Sequence, residues 1–190
     1  MTLRALVTND DGIDSEGLRQ LALAAVGAGL DVTVAAPQRE ASGSSAALNA
    51  TQSDGRIVVE PRELPGLDGV PCYAVAAAPA FIVLIGQRGA FGAVPQLVLS
   101  GINRGANLGN AIIHSGTVGA TLTAGTYGLR ALAVSCDSAS PQHWETSAEF
   151  ARRVLPGLIA AVDALVLNLN VPDREVDEVR GIVRAHLAGF

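Results

Sequence analysis

The chain contains no lysine: all thirteen of its basic residues are arginine. That excludes any mechanism built on a lysine, the P-loop for nucleotide phosphates among them. Aromatic residues amount to only 4%, so a core has to be packed from Ala, Val, Leu and Ile. Cysteine is scarce as well, and Cys72 and Cys136 show no metal-ligand spacing. They read as free, buried thiols of a reducing compartment. Charge is sparse at 16%, with a formal net charge of -5. A chain so poor in positive charge lacks the basic face that a nucleic-acid backbone requires, although a small phosphorylated substrate held through a metal stays compatible with it. No apolar run approaches the ~18 residues of a membrane span. Arg4, Asp10 and Asp11 interrupt the N-terminus before a signal-peptide core could form. The expectation is a cytoplasmic protein that binds neither nucleic acid nor membrane.

What is present is an apolar, regularly punctuated chain. Hydrophobic residues make up 49% of 190 positions, enough for one well-buried domain, taken as 1–190. Strand and helix signals alternate. Leu3–Thr8, Asp31–Ala36, Gln96–Ser100, Ala131–Ser135 and Ala164–Leu169 are Val/Leu-rich strands, and Gly181–Ala185 is a final short one. Ser15–Ala28, Pro79–Arg88, Thr117–Tyr127 and Trp144–Val162 have helical spacing, with Ser15 as an N-cap and Pro156 set to kink or interrupt the last helix. Arg56–Glu60 and Cys72–Val75 read as short strands within a segment, 38–75, that adds a small antiparallel excursion. Alternating βα units with continuous apolar strands define a Rossmann-like α/β three-layer sandwich around a mainly parallel sheet.

Three stretches carry chemistry. The first strand runs into Asn9-Asp10-Asp11-Gly12. In an open α/β sheet the carboxyl ends of strands are where ligands bind. Two adjacent carboxylates there repel one another unless neutralised, and a divalent cation is the usual neutraliser; a solvated turn is the bland alternative. The buried strand QLVLS leads into Ser100–Asn110, which holds three glycines and three asparagines. Such a loop bends sharply and offers backbone N–H groups and neutral oxygens. His114-Ser115-Gly116-Thr117 then opens a helix, whose amides and hydroxyls suit a phosphate. The polar loop Pro37–Ser45, beyond the second strand, can add a hydroxyl from the same sheet edge. Each piece alone has an ordinary structural explanation. Together they describe an acid pair, an oxygen-rich loop and an anion cradle, a set that fits metal-assisted phosphoryl chemistry.

These motifs, in this order and spacing, resemble the SurE family. The matching stretches are TNDDGI near the start, APQREASG after the second strand, SGINRGANLG after the middle strand and HSGTV soon after, followed by ALAVS and LNLNVP. The family comprises the survival-protein nucleotidases, divalent-metal-dependent phosphatases of nucleoside monophosphates. The resemblance implies that Asp10, Asp11, Ser42 and Asn103 form the metal site. It also implies that Asn9, Ser115, Gly116 and Thr117 hold the phosphate, with Asp10, Asn103 and Ser42 as the catalytic set. An all-oxygen shell with two carboxylates suits Mg²⁺ or Mn²⁺. The implied reaction is hydrolysis of nucleoside 5′-monophosphates, with 3′-monophosphates as further substrates, by a homodimer.

The pattern also departs from the family. Its Gly-Thr-Pro-Ala-Asp-Cys helix start is Ala77-Ala78-Pro79-Ala80-Phe81-Ile82 here, and its Ala-Met-Glu-Gly is Thr121-Leu122-Thr123-Ala124. Family members commonly run tens of residues past the position of Phe190, with an arm that joins subunits. The second reading is therefore a catalytically weakened metal- or nucleotide-binding protein. A phosphorylation-receiver domain is excluded, because the middle strand ends in Ser100-Gly101 where the acceptor aspartate belongs. A dinucleotide oxidoreductase is excluded because acidic side chains fill the first βα turn.

Overall fold

The computed structural model describes residues 2–53 and 55–187. Among them, seven strands form one sheet in the order β5-β6-β2-β1-β7-β8-β9. The strands are β1 (Arg4–Thr8), β2 (Asp31–Pro37), β5 (Val59–Arg62), β6 (Cys72–Val75), β7 (Leu97–Arg104), β8 (Arg130–Asp137) and β9 (Val166–Pro172), while β3 (Gln52–Ser53) and β4 (Arg56–Ile57) pair as a separate antiparallel hairpin. Every pairing in the large sheet is parallel except β5 with β6. The mainly parallel sheet and the antiparallel excursion are therefore as the sequence reads.

Among the described residues, four α-helices cover the sheet: α1 (Glu16–Gly27), α2 (Pro79–Gly86), α3 (Gly116–Thr126) and α4 (Trp144–Ala160). In α1, Leu18, Leu21, Ala22 and Ala25 form the buried stripe, and Ser15 Oγ accepts the Leu18 N–H as N-cap. A cap of this kind contributes ~1 kcal/mol, and each fully buried leucine contributes roughly 1.5–3 kcal/mol. The α1 stripe packs with Leu155 and Leu158 of α4 against one face of the sheet. Ile82 and Val83 of α2 and Ala120 and Ala124 of α3 pack on the other face. This completes the three layers.

The chain order matters for function. β1 is flanked by β2 on one side and β7 on the other. The strand order therefore reverses beside β1, and a crevice opens at the carboxyl ends of β1 and β7, where doubly wound folds bind ligands. Asp10 follows β1 at that point.

Some local features differ from the sequence expectation. The run 56–60 divides into β4 and β5 at Val58. Pro61 lies within β5, which it can do because β5 is an edge strand and needs no further N–H partner there. Pro156 does not interrupt α4, which runs from Trp144 to Ala160. The proline sits on the exposed side of the helix, where the carbonyl it frees faces solvent. Residues 181–185 form no strand and are exposed, so their apolar alternation reflects no burial. Cys72 and Cys136 are free and buried, and burial raises both thiols above their usual range. Among the described residues, no helix is long and apolar enough to cross a membrane.

Candidate functional site

The site is built at the carboxyl ends of β1 and β7, under the first turn of α3. The β1 turn is knitted internally: Gly12 N–H donates to Asn9 Oδ1 at 3.2 Å, and Asn9 Nδ2 donates to Gly12 O at 3.0 Å and to Ser15 Oγ at 2.6 Å. Gly12 has φ of 100°, a conformation that favours glycine. This turn fixes the direction of the two carboxylates. Asn9 is fully buried and spends both ends of its amide on the turn, so its side chain shapes the loop and does not face the crevice.

Asp10 is 3% exposed. Its Oδ1 accepts a short hydrogen bond from Thr117 Oγ1, and Asn103 Oδ1 lies 3.3 Å from the same hydroxyl. Three residues remote in sequence thus converge from β1, β7 and α3. Desolvation raises the Asp10 carboxyl above its ordinary range, opposed by hydrogen bonds from the Thr117 hydroxyl and the backbone amides of Asp10, Thr117 and Gly116. Asp11 also turns inward, its side chain 6% exposed. Burial, followed by the charge of Asp10, lifts its pKa from 3.8 to about 6. Arg104 opposes this from the β7 end: its backbone N–H donates to Asp11 Oδ2 at 3.4 Å, and its guanidinium stands 3.9 Å from Oδ1 with half its surface in solvent.

Asn103 Nδ2 donates to Gly105 O at 2.6 Å, which leaves Oδ1 directed at the Asp10–Thr117 pair. The loop beyond it is fastened to β9 by a feature that motif reading missed. Asn107 N–H donates to Asn170 Oδ1 at 2.8 Å, its Nδ2 donates to Ser135 Oγ at 2.8 Å, and its carbonyl accepts from Asn168 Nδ2 at 2.9 Å. The alternation in LNLNVP is the signal for this clamp, because a period of two puts Asn168 and Asn170 on one face.

At the start of α3, Ser115 caps the helix by accepting the Val118 N–H at 3.1 Å and retains its own hydroxyl hydrogen. Gly116 is buried against Asp10: a methyl group there would lie 2.8 Å from Asp10 Oδ2. His114 is exposed in the short 3₁₀ turn that precedes α3. Ser42 does not join the buried cluster. It is exposed, and its hydroxyl donates to Glu40 Oε1 at 2.8 Å, which leaves the oxygen's lone pairs free. Its loop is nonetheless tied to the site, since Ala41 N–H donates to Asp10 O at 2.7 Å. An open cleft of about 690 Å³ lies along this loop, lined by Arg39, Ser42, Ser44, Asn49 and Thr51.

The donor set is a test of metal fit. Asp10 Oδ1 and Asn103 Oδ1 converge on the Thr117 hydroxyl, the inward-turned Asp11 carboxylate lies close enough to feel the Asp10 charge, all are hard oxygen donors, and the nearby cation is a half-exposed arginine. Both carboxyls are raised by burial, as expected where a positive charge is needed to hold them ionised. These residues fit a hard divalent cation.

The fold and the site together define a doubly wound α/β protein with an acidic, oxygen-donor centre at its switch point. The survival protein SurE family profile matches residues 5–189, and the chain belongs to the SurE family. It is 40% identical over 185 residues to the 5′-nucleotidase SurE of Stenotrophomonas maltophilia (strain R551-3), covering 94% of this chain and 67% of that protein. The 5′-nucleotidase SurE of Nostoc sp. is 36% identical over 182 residues, covering 95% and 68%. The crystal structure of the SurE protein from Aquifex aeolicus superposes with a TM-score of 0.78 at 30% identity, covering 95% of this chain and 70% of that one.

Proposed function

We propose that this chain is a divalent-metal-dependent phosphatase that hydrolyses nucleoside 5′-monophosphates, and also accepts 3′-monophosphates, to nucleoside and phosphate. The observation that carries the proposal is the convergence of Asp10, Thr117 and Asn103, with Asp11 buried beside them. The relatives named as 5′-nucleotidases match along nearly the whole chain, which supports the same reading.

Asp10, Asp11 and Asn103 would hold Mg²⁺ or Mn²⁺, with the free lone pairs of Ser42 as a further oxygen donor. When bound, the cation supplies charge neutralisation for the phosphate and lowers the pKa of a water. The chain's own groups do the rest. Asp10 is the carboxylate assigned to the reacting water; it orients that water and takes its proton as the water oxygen bonds to phosphorus and the ester P–O bond breaks, and the proton then passes to the departing nucleoside oxygen. Thr117 fixes the Asp10 rotamer and keeps part of its charge in place. The Ser115 hydroxyl holds a non-bridging phosphate oxygen as negative charge redistributes, while the Gly116 and Thr117 amides at the start of α3 hold the Asp10 carboxylate. Asn9 contributes by fixing the turn that aims Asp10. The cleft beside the loop has room for the nucleoside.

We place the enzyme in the cytoplasm, supported by its two free, buried thiols, and as a homodimer, supported by the family resemblance. The test is phosphate release from adenosine and guanosine 5′- and 3′-monophosphates with Mn²⁺, Mg²⁺ or EDTA. Release that requires metal and favours nucleotides over an aryl phosphate is the expected result. Release undiminished by EDTA would overturn the metal-dependent reading.

A further inference from the structure

The cleft along the loop 38–51 extends over the carboxyl ends of β2 and β6, away from the acid pair that follows β1. Its near end adjoins the start of α3, because Ser44, which lines it, packs against Gly116. From Asp10 at the end of β1, across β2, to the residues that follow β6 is two strand spacings, or about 10 Å. A ribose and a base span that distance; an inorganic phosphate does not.

One wall of the cleft is Ala76, Ala77 and Ala78, directly after β6. Their amides are spent: Ala76 N–H donates to Val58 O at 3.0 Å, Ala77 N–H to Val75 O at 2.8 Å and Ala78 N–H to Asn49 O at 3.0 Å. The wall therefore offers methyl groups and little to donate, the kind of surface on which a flat ring lies. Polar recognition has to come from the loop. There Asn49 is held by its backbone. Its carbonyl takes the Ala78 N–H, Ala50 forms an antiparallel bridge with Ala77, and Thr51 N–H donates to Ala76 O at 2.7 Å. The Asn49 side chain, by contrast, is exposed, lines the cleft and forms no hydrogen bond among the described residues. A free carboxamide thus projects from a fixed point beside an apolar wall. Gln38 is a second carboxamide in the cleft, but its longer side chain has one more torsion to immobilise.

We infer that Asn49 is a specificity-determining residue whose carboxamide pairs with the edge of the substrate's nucleobase while the ring lies on the Ala76–Ala78 wall. This rests on the nucleotidase reading above. A carboxamide presents a donor and an acceptor. Each nucleobase carries a donor and an acceptor side by side, so Asn49 can make two hydrogen bonds to it; the ring of an aryl phosphate offers neither.

The experiment has two readouts for the wild type, Asn49→Ala, Asn49→Asp and Gln38→Ala, each shown to be folded by circular dichroism. One is kcat/KM with Mn²⁺ for adenosine, guanosine and uridine 5′-monophosphates and for phenyl phosphate. The other is saturation-transfer NMR titration of the metal-free protein with adenosine and guanosine, which needs neither metal nor turnover. Loss of two neutral hydrogen bonds predicts that Asn49→Ala lowers the preference for adenosine monophosphate over phenyl phosphate by about 5- to 20-fold, and weakens adenosine binding by a similar factor. An aspartate only accepts, and guanine alone offers two adjacent donors, N1–H and N2–H. Asn49→Asp should therefore raise the guanosine-to-uridine ratio of kcat/KM by about fivefold or more, a shift that a merely structural role for Asn49 would not produce. Unaltered preferences in both Asn49 variants, no adenosine binding by the wild type, or a loss in Gln38→Ala with none in Asn49→Ala would each overturn the assignment. A wild type that binds adenosine through Asn49 but releases no phosphate from nucleotides would overturn the nucleotidase reading and uphold the base contact. Metal-dependent release with base preference unmoved by the variants would do the reverse.

Discussion

Replacing Asp11 by asparagine should stabilise the metal-free protein. The Asp11 side chain is 6% exposed, and its pKa is raised from 3.8 to about 6 by burial and by the neighbouring Asp10 charge. The folded state therefore holds a proton on this carboxyl more tightly than the unfolded state does. The destabilising effect is absent below the unfolded pKa near 3.8, grows as pH rises towards about 6, and is fully present above that. A rise of about two units at about 1.4 kcal/mol per unit gives a penalty of about 3 kcal/mol at pH 7.5. Asn keeps the shape of the side chain and carries no charge. In the presence of chelator at pH 7.5, urea denaturation should show Asp11→Asn more stable than wild type by about 2–3 kcal/mol, with the gap closing as pH falls to 4. Saturating Mn²⁺ should erase or reverse the gap, because the cation binds the native wild-type carboxylates and stabilises them by mass action. A metal-free Asp11→Asn protein no more stable than wild type at pH 7.5, or a gap independent of pH, would refute the claim that these carboxylates are held close and buried for a cation.

Further outcomes follow from the same geometry. Thr117→Val removes the hydroxyl that lowers the Asp10 pKa. The acidic limb of the kcat/KM profile should move to higher pH, and a profile that keeps its limb would show that Thr117 does not tune Asp10. Gly17→Ala pushes a Cβ into the Ile102 carbonyl and to 2.8 Å from the Trp144 ring; overpacking of this kind should cost about 1–3 kcal/mol in urea, and an unchanged midpoint would contradict the close approach of α1 to β7.

Much of this architecture was legible because local pattern and tertiary role coincide. Gln96–Ser100 reads as a buried strand from its continuous apolar run, and β7 is indeed buried through Ile102. Ser15 reads as a cap and is one. The antiparallel excursion was visible in its turn residues, but the break at Val58 depends on which strand each half can pair with. The strand at 181–185 failed because alternation alone does not supply a burying partner. The site shows the same division. Asp10 and Asp11 are adjacent in sequence, so their shared electrostatics needed only the strand end. That Thr117 donates to Asp10 follows from the order β2-β1-β7, which no local window contains. Asn9, Ser42 and Ser44 show the limit most clearly: each is a polar residue near the crevice, and only side-chain orientation separates one that knits a turn, one that faces Glu40 and one left unpartnered beside Gly116.

The most direct test of the central claim is nucleotide hydrolysis by Asp10→Asn beside wild type, both shown to be folded by circular dichroism, with saturating Mn²⁺ or with EDTA. The account predicts metal-dependent phosphate release by the wild type and loss of at least about a thousandfold in the variant, the scale expected when a group acting in the transition state is removed. Wild-type turnover in a folded Asp10→Asn protein would contradict it and remove the β1–α3 crevice as the site of chemistry.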